Sequence, residues 1–201
     1  MKKSLFLVLL LVAFSFAALD STALVAGMRS NRYAFIGFQT KENFGVAFEN
    51  SVQTQSPKKQ YARLAAFYAF DLPFNIHSNY AVYGGMRYDK EFYDVGTRVE
   101  LLWKAHERYL QLNGVWLPFY DSDYGRNFGY LVGVRSFVLP EVGVVANFKN
   151  IPEYRDVERR VSFGLVFETD HLSVMPEISI PVDGQNPLTR VFVSFVYYFP
   201  L

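Results

Sequence analysis

The sequence predicts an all-β protein: a closed antiparallel up-and-down transmembrane β-barrel of about twelve strands, with ten as the alternative. Three observations lead there. Short segments of alternating character recur along the chain, the connections between them tend to alternate between compact and long, and aromatic residues gather near the segment ends. The 201 residues suffice for one substantial domain. Aromatic residues make up 18% of the chain, with 20 Phe and 14 Tyr but only 2 Trp, while 19% is charged. Such a chain must place many rings outside a small core.

The chain starts with Met1, Lys2 and Lys3, then an apolar run from Leu5 to Ala13, then Ser15, Phe16 and Ala17. Charged, apolar and small-x-small, in that order, describe a secretory signal peptide. The expected organisation is therefore a signal at residues 1–17, cleaved after Ala17 or Ala18, and a barrel at 18–201. The apolar run is shorter than the roughly 20 residues a spanning helix needs. Without Lys2 and Lys3 the formal charge falls from +1 to about −1, and no nucleic-acid partner is implied. Cysteine is absent, so stability is expected from packing or sheet closure, not from disulfides or a lipid-anchored cysteine.

Beyond the signal no apolar run reaches membrane-helix length, and no helical periodicity is sustained. Twelve segments of period two take its place. They run from Thr22 to Met28, Arg32 to Thr40, Phe44 to Ser51, Gln60 to Phe70, Ser78 to Tyr88, Tyr93 to Lys104, Glu107 to Pro118, Asn127 to Val138, Val142 to Asn150, Arg159 to Glu168, Leu172 to Ile180 and Thr189 to Phe199. Compact connections are expected at Lys41 to Asn43, Ala105 to Glu107, Leu139 to Glu141 and Thr169 to His171. Longer ones are expected at Val52 to Lys59, Phe119 to Arg126, Ile151 to Glu158 and Pro181 to Leu188. Asp71 to His77 breaks the pattern as a fairly long connection on the compact side. In a meandering membrane barrel every second connection lies on one side, with short turns periplasmic and longer loops outside.

The faces read cleanly between Tyr93 and Lys104. Val95, Thr97, Val99, Leu101 and Trp103 form a face suited to lipid, and Gly96, Arg98, Glu100, Leu102 and Lys104 form one that is not. The last strand sets Val191, Val193, Phe195, Tyr197 and Phe199 against Arg190, Phe192, Ser194, Val196 and Tyr198. Small residues, Gly45, Gly85, Gly96, Gly133 and Gly164, share the polar faces, as a crowded interior requires. Two aromatic bands are expected at the membrane interfaces. Phe67, Tyr68, Phe70, Phe74, Trp103, Tyr197, Tyr198 and Phe199 lie on the turn side. Tyr88, Phe92, Tyr93, Trp116, Phe119, Tyr120 and Tyr124 lie on the loop side.

With these features the chain resembles the broad class of bacterial outer-membrane β-barrel proteins. That class ends in a strand of alternating aromatic residues read by the barrel-insertion machinery. Phe195, Tyr197 and Phe199 match the alternation, whereas Pro200 and Leu201 replace the usual terminal aromatic. The resemblance implies an outer-membrane location, with lipid, lipopolysaccharide and the insertion machinery as partners.

Inward polar faces would place Glu49, Arg63, Arg87, Arg98, Glu100, Arg135, Lys149, Arg160, Glu168 and Glu177 in the lumen. Buried charges persist when paired and hydrogen-bonded, so the default expectation is a network bracing the interior. The sharper one is a narrow, weakly anion-preferring pore, since twelve strands fall between filled barrels of eight and open channels of sixteen. The overall expectation is an integral outer-membrane protein with a structural, surface-interaction or minor-pore role. The alternatives are a small-solute channel, a lipid-active enzyme and a soluble periplasmic ligand-binding barrel. No catalytic activity, metal or cofactor is expected. His77, His106 and His171 fall on turns, and Asp170, His171 and Ser173 are near neighbours whose spacing turn composition explains. The stretch Asp121 to Gly125 lacks the ligand spacing of a calcium loop and reads as a polar connection.

Overall fold

The computed structural model describes residues 22–30, 32–52, 57–106, 109–150, 159–182 and 188–201. The expected signal and the connection Ile151 to Glu158 lie outside them. Twelve strands form one closed antiparallel meander. They are β1 (Ala23–Arg29), β2 (Tyr33–Gln39), β3 (Phe44–Ser51), β4 (Tyr61–Leu72), β5 (Ile76–Arg87), β6 (Tyr93–His106), β7 (Leu110–Asp121), β8 (Gly125–Leu139), β9 (Val142–Asn150), β10 (Arg160–Glu168), β11 (Leu172–Pro181) and β12 (Arg190–Pro200). Each strand pairs with its sequence neighbours, and β1 closes the barrel on β12 with Val25 opposite Tyr198. Closure leaves no free edge, so every strand has a ladder partner on both sides, as a spanning sheet in hydrocarbon requires.

Period two fixes which side chains enter. Glu49 stands opposite Arg63, Arg63 opposite Gly85, and Gly85 opposite Asp94, one inward row across four strands. The intervening residues Phe48, Leu64 and Val95 are exposed on the outside. Among the described strand residues, Arg126 at the loop end of β8 is the one Asp, Glu, Lys or Arg with outward parity. An outer face so free of charge, rimmed by exposed Tyr68, Phe70, Trp103, Tyr120 and Phe199, meets what a lipid-facing barrel wall needs.

Two connections differ from their expected lengths. β4 runs to Leu72 and β5 starts at Ile76, directly opposite it, so Asp71 and His77 belong to strands and only Pro73, Phe74 and Asn75 turn. Phe74 and Asn75 both have positive φ, 67° and 59°, the geometry that tight antiparallel turns use. The Asp71 to His77 exception therefore disappears, because Pro73 opens a three-residue turn and the residues flanking it stay in the ladder. On the opposite end, Phe119 to Arg126 contains mostly strand. Asp121 pairs with Gly125, and Ser122 to Tyr124 make the whole connection. The Asp121 carboxylate accepts the Asp123 N–H at 2.9 Å and the Tyr124 N–H at 2.6 Å, so its polar composition serves a side-chain-capped turn.

Gly125 completes that turn with φ of 76°, and nothing lies within 4 Å of where a Cβ would stand. Gly125→Ala therefore meets no clash, only the left-handed backbone cost. Stability is expected to fall by about 1 kcal/mol, read as a lower urea midpoint in refolding into lipid.

The aromatic bands are also corrected. Phe67, Phe92 and Phe119 are buried inside, and Tyr198 points inward as the partner of Val25. Clustering along the sequence ignores parity, so neighbours such as Phe67 and Tyr68 were grouped although they face opposite sides of the wall.

Candidate lumen site

All ten charged residues singled out from the sequence have inward parity, but they do not form one network. The lumen divides lengthwise into an apolar, filled half and a polar, partly open half. In the filled half, Val25, Phe35, Ala47, Ala65, Phe67, Ala81, Tyr83, Leu117 and Phe119 make one buried cluster. Glycine and alanine on one strand seat rings from the next. A Cβ on Gly45 would fall 2.1 Å from the Phe67 ring, and one on Gly85 would fall 1.8 Å from the Tyr61 hydroxyl. Toward the loop end a second apolar cluster, Tyr33, Tyr61 and Phe92, caps the first. Tyr61 meets Tyr33 edge to face at 6.5 Å and Phe92 at 6.0 Å.

Charges in this half are paired. Arg63 Nη2 donates to Asp94 Oδ2 at 2.9 Å and its Nε donates to the Tyr61 oxygen at 2.8 Å, while the Tyr61 hydroxyl donates to Asp94 Oδ1. The Arg63 guanidinium also lies over the Tyr83 ring at 4.6 Å. Glu49, fully buried, accepts Arg29 Nη2 at 2.7 Å. Arg87 bonds both Asp89 and Glu91 in the β5 to β6 connection. The hydrogen bond from Arg87 is the main reason the Asp89 carboxyl is held below its ordinary range.

On the other side, β6 to β12 and the end of β1 enclose a polar cavity of about 180 Å³. Its lining reaches from Arg29 and Ser30 at the loop end to Glu168 and Ser173 at the turn end, and includes Arg98, Glu100, Arg135, Lys149 and Glu177. Glu177 is held firmly: it accepts Ser162 Oγ at 2.7 Å and Asn147 Nδ2 at 2.9 Å, with Lys149 Nζ at 3.9 Å. Gly133 makes this possible, since a Cβ there would lie 2.0 Å from Asn147 Oδ1. Arg98 pairs with Glu100 at 3.0 Å, and Arg160 bonds Ser179 and the Leu188 carbonyl. Arg98 Nε and Asn113 Oδ1 are buried without a hydrogen-bond partner among the described residues. At the turn end a wider vestibule of about 540 Å³ opens between Asn75, His77, Lys104, Tyr109, Gln111, Phe137, Leu139 and Pro140.

The lumen charges expected from the sequence leave out Arg29 and Asp94, and also Lys104, although it stands on the polar face read for its strand. Lys104 and Asp94 share the face of Arg98, so extending the same parity finds them; Arg29 sits one residue beyond the expected end of the first strand. Of the three histidines expected on turns, His171 lies on one, whereas His77 and His106 are strand residues at the turn end of β5 and β6, with His77 bonded to Asp71. Asp170, His171 and Ser173 are not joined by any side-chain hydrogen bond among the described residues. No group of three metal-binding side chains occurs among those residues.

No protein-family model matches the chain, and no curated protein matches it in sequence. Solved structures do match in fold. A KdgM porin, in complex with disordered oligogalacturonate, gives a TM-score of 0.63 at 10% identity, covering 89% of this chain and 99% of that one. The NanC porin gives 0.54 at 12% identity, covering 89% and 100%. The outer-membrane protein Omp33 of Acinetobacter baumannii gives 0.50 at 8% identity, covering 90% and 98%. At such identities the likeness is one of fold, and that fold is the closed barrel of outer-membrane porins, in agreement with the class the sequence resembles.

Proposed function

We propose that the chain is an integral outer-membrane barrel, exported by cleavage of its first 17 residues, that carries a narrow, eccentric and weakly anion-preferring pore for small solutes. The observation that carries this reading is the polar cavity reaching from Arg29 at one end to Glu168 at the other, beside a half filled with aromatic side chains. Lipid covers the uncharged outer wall, lipopolysaccharide meets its loop-end rim, and the outward row Phe195, Tyr197 and Phe199 of β12 suits recognition by the insertion machinery. The bracing network expected from the sequence then belongs to the filled half, where Arg63 and Arg87 have carboxylate partners. The cations bordering the open half are Arg29, Arg98, Arg135 and Lys149.

Planar-bilayer recording under a salt gradient tests this. A small conductance is expected whose reversal potential favours anions and moves toward cations in Arg135→Gln. Arg87→Gln, whose charge is neutralised locally, leaves the reversal potential in place. A protein that inserts and shows no conductance, or that fractionates as soluble, overturns the channel reading.

A further inference from the structure

We infer that Lys104, Gln111 and Arg135 form a binding site for a phosphate group where the turn-end vestibule narrows into the polar cavity. The inference deepens the channel reading, on which it rests for its role. Register places the three residues side by side on neighbouring strands: Lys104 is opposite Gln111 and Gln111 opposite Arg135. Lys104 and Gln111 line the vestibule and Arg135 lines the cavity beyond it, so the row is the boundary between the two spaces.

What sets this row apart is that its polar groups are uncommitted. Arg63, Arg87 and Lys149 each have a carboxylate within 4 Å, whereas the side chains of Lys104 and Arg135 have neither an ion pair nor a hydrogen bond among the described residues. Gln111 is 8% exposed, borders the vestibule, and its amide is equally unpartnered there. The Gln111 amide is thus open to a ligand in the vestibule, and the two cations on either side of it repel one another with no counter-charge between them among the described residues. Among the described residues, acidic groups on these strands are already engaged or set apart. Asp71 is bound by His77 and Glu100 by Arg98, while Glu168 faces the cavity without pairing to Arg135.

A ligand resolving all three deficits is an oxyanion. Strands lie roughly 4.8 Å apart, so Lys104 and Arg135 flank Gln111 at about twice that spacing, and inward-reaching side chains converge on one group above the amide. Two cations call for a dianion, and the guanidinium offers paired N–H donors that fit phosphate oxygens. Phosphate therefore suits the row better than a singly charged carboxylate. His77 and Asn75, on the adjoining wall of the vestibule, provide further donors for a solute carrying the group.

Calorimetric titration of the refolded full barrel in detergent, with inorganic phosphate and separately with acetate at constant ionic strength, reads the site without requiring conductance. Phosphate binding is expected to exceed acetate binding and to weaken about tenfold or more in Lys104→Met and in Gln111→Leu. Lys41→Gln removes an exposed turn-end charge elsewhere and should change nothing, and heat-modifiable gel mobility verifies that every variant is folded. Equal binding of phosphate and acetate, or equal phosphate binding by Lys104→Met and Lys41→Gln, overturns the assignment. A barrel that conducts but binds no phosphate sinks the site and spares the channel; one that binds phosphate but does not conduct does the reverse.

Discussion

Asp94→Ala is expected to cost about 3–5 kcal/mol of folding free energy, the range for stripping one partner from a buried ion pair. Asp94 is almost wholly buried and accepts from both Arg63 and the Tyr61 hydroxyl. Without it the Arg63 guanidinium stays enclosed by the Tyr61 and Tyr83 rings, at 5.2 and 4.6 Å. Those rings supply a partial cation–π attraction but no counter-charge. Glu49 stands opposite Arg63 but is shared with Arg29, which holds it at 2.7 Å, so it compensates only in part. Urea titration of the refolded barrel in lipid, followed by gel mobility, measures the loss. A paired substitution, Arg63→Met with Asp94→Leu, should recover part of it, since removing both charges leaves no unpaired buried ion, although the Tyr61 hydroxyl loses its bonds to both. If Asp94→Ala stays within about 1 kcal/mol of the parent, water reaches the cluster and screens it, and the filled half is wetter than its packing implies.

The paired cluster also shows where reading a sequence stops. Parity alone put Arg98, Glu100, Glu168 and Glu177 inside, because a strand has only two faces and one of them reads as apolar. The twelve strands, their order and their closure followed from the same rule applied along the chain. What parity does not carry is position around the lumen. Phe35, Phe67, Tyr83 and Phe119 share the inward face with the charges, and nothing in their local spacing says that they meet one another across the barrel. That meeting depends on curvature and on register between strands, which turns of three residues such as Pro73 to Asn75 set. The two connections that come out shorter than expected share one feature: each has at its edge a residue, Pro73 or Gly125, that a tight turn accepts as readily as a long loop does. The partition into bracing and open halves is consequently a property of tertiary pairing, and Lys104 gains its interest only because Arg135 stands two strands away with nothing between them except an amide.

Phe67→Ala tests that partition most directly, because it should alter stability and conductance together. The Phe67 ring is 2% exposed and rests on Gly45, within a cluster that includes Phe35, Tyr83 and Phe119. Deleting a ring from such packing removes apolar burial and leaves a void, at about 3–5 kcal/mol. The neighbours cannot easily collapse into it, because they are fixed to a closed wall whose circumference is set by strand number and tilt. In a soluble core the void would simply remain. Here the filled half adjoins a polar cavity, since Val196 and Tyr198 pack against the cluster while also lining that cavity, so the space created is available to widen the pore. Single-channel conductance should rise relative to the parent while the urea midpoint falls. Phe67→Leu, which keeps part of the volume at the same position, should show smaller changes in both. A destabilised variant whose conductance is unchanged would mean that the rings seal a compartment separate from the conducting path, and the filled half would have to be given up as part of the pore wall.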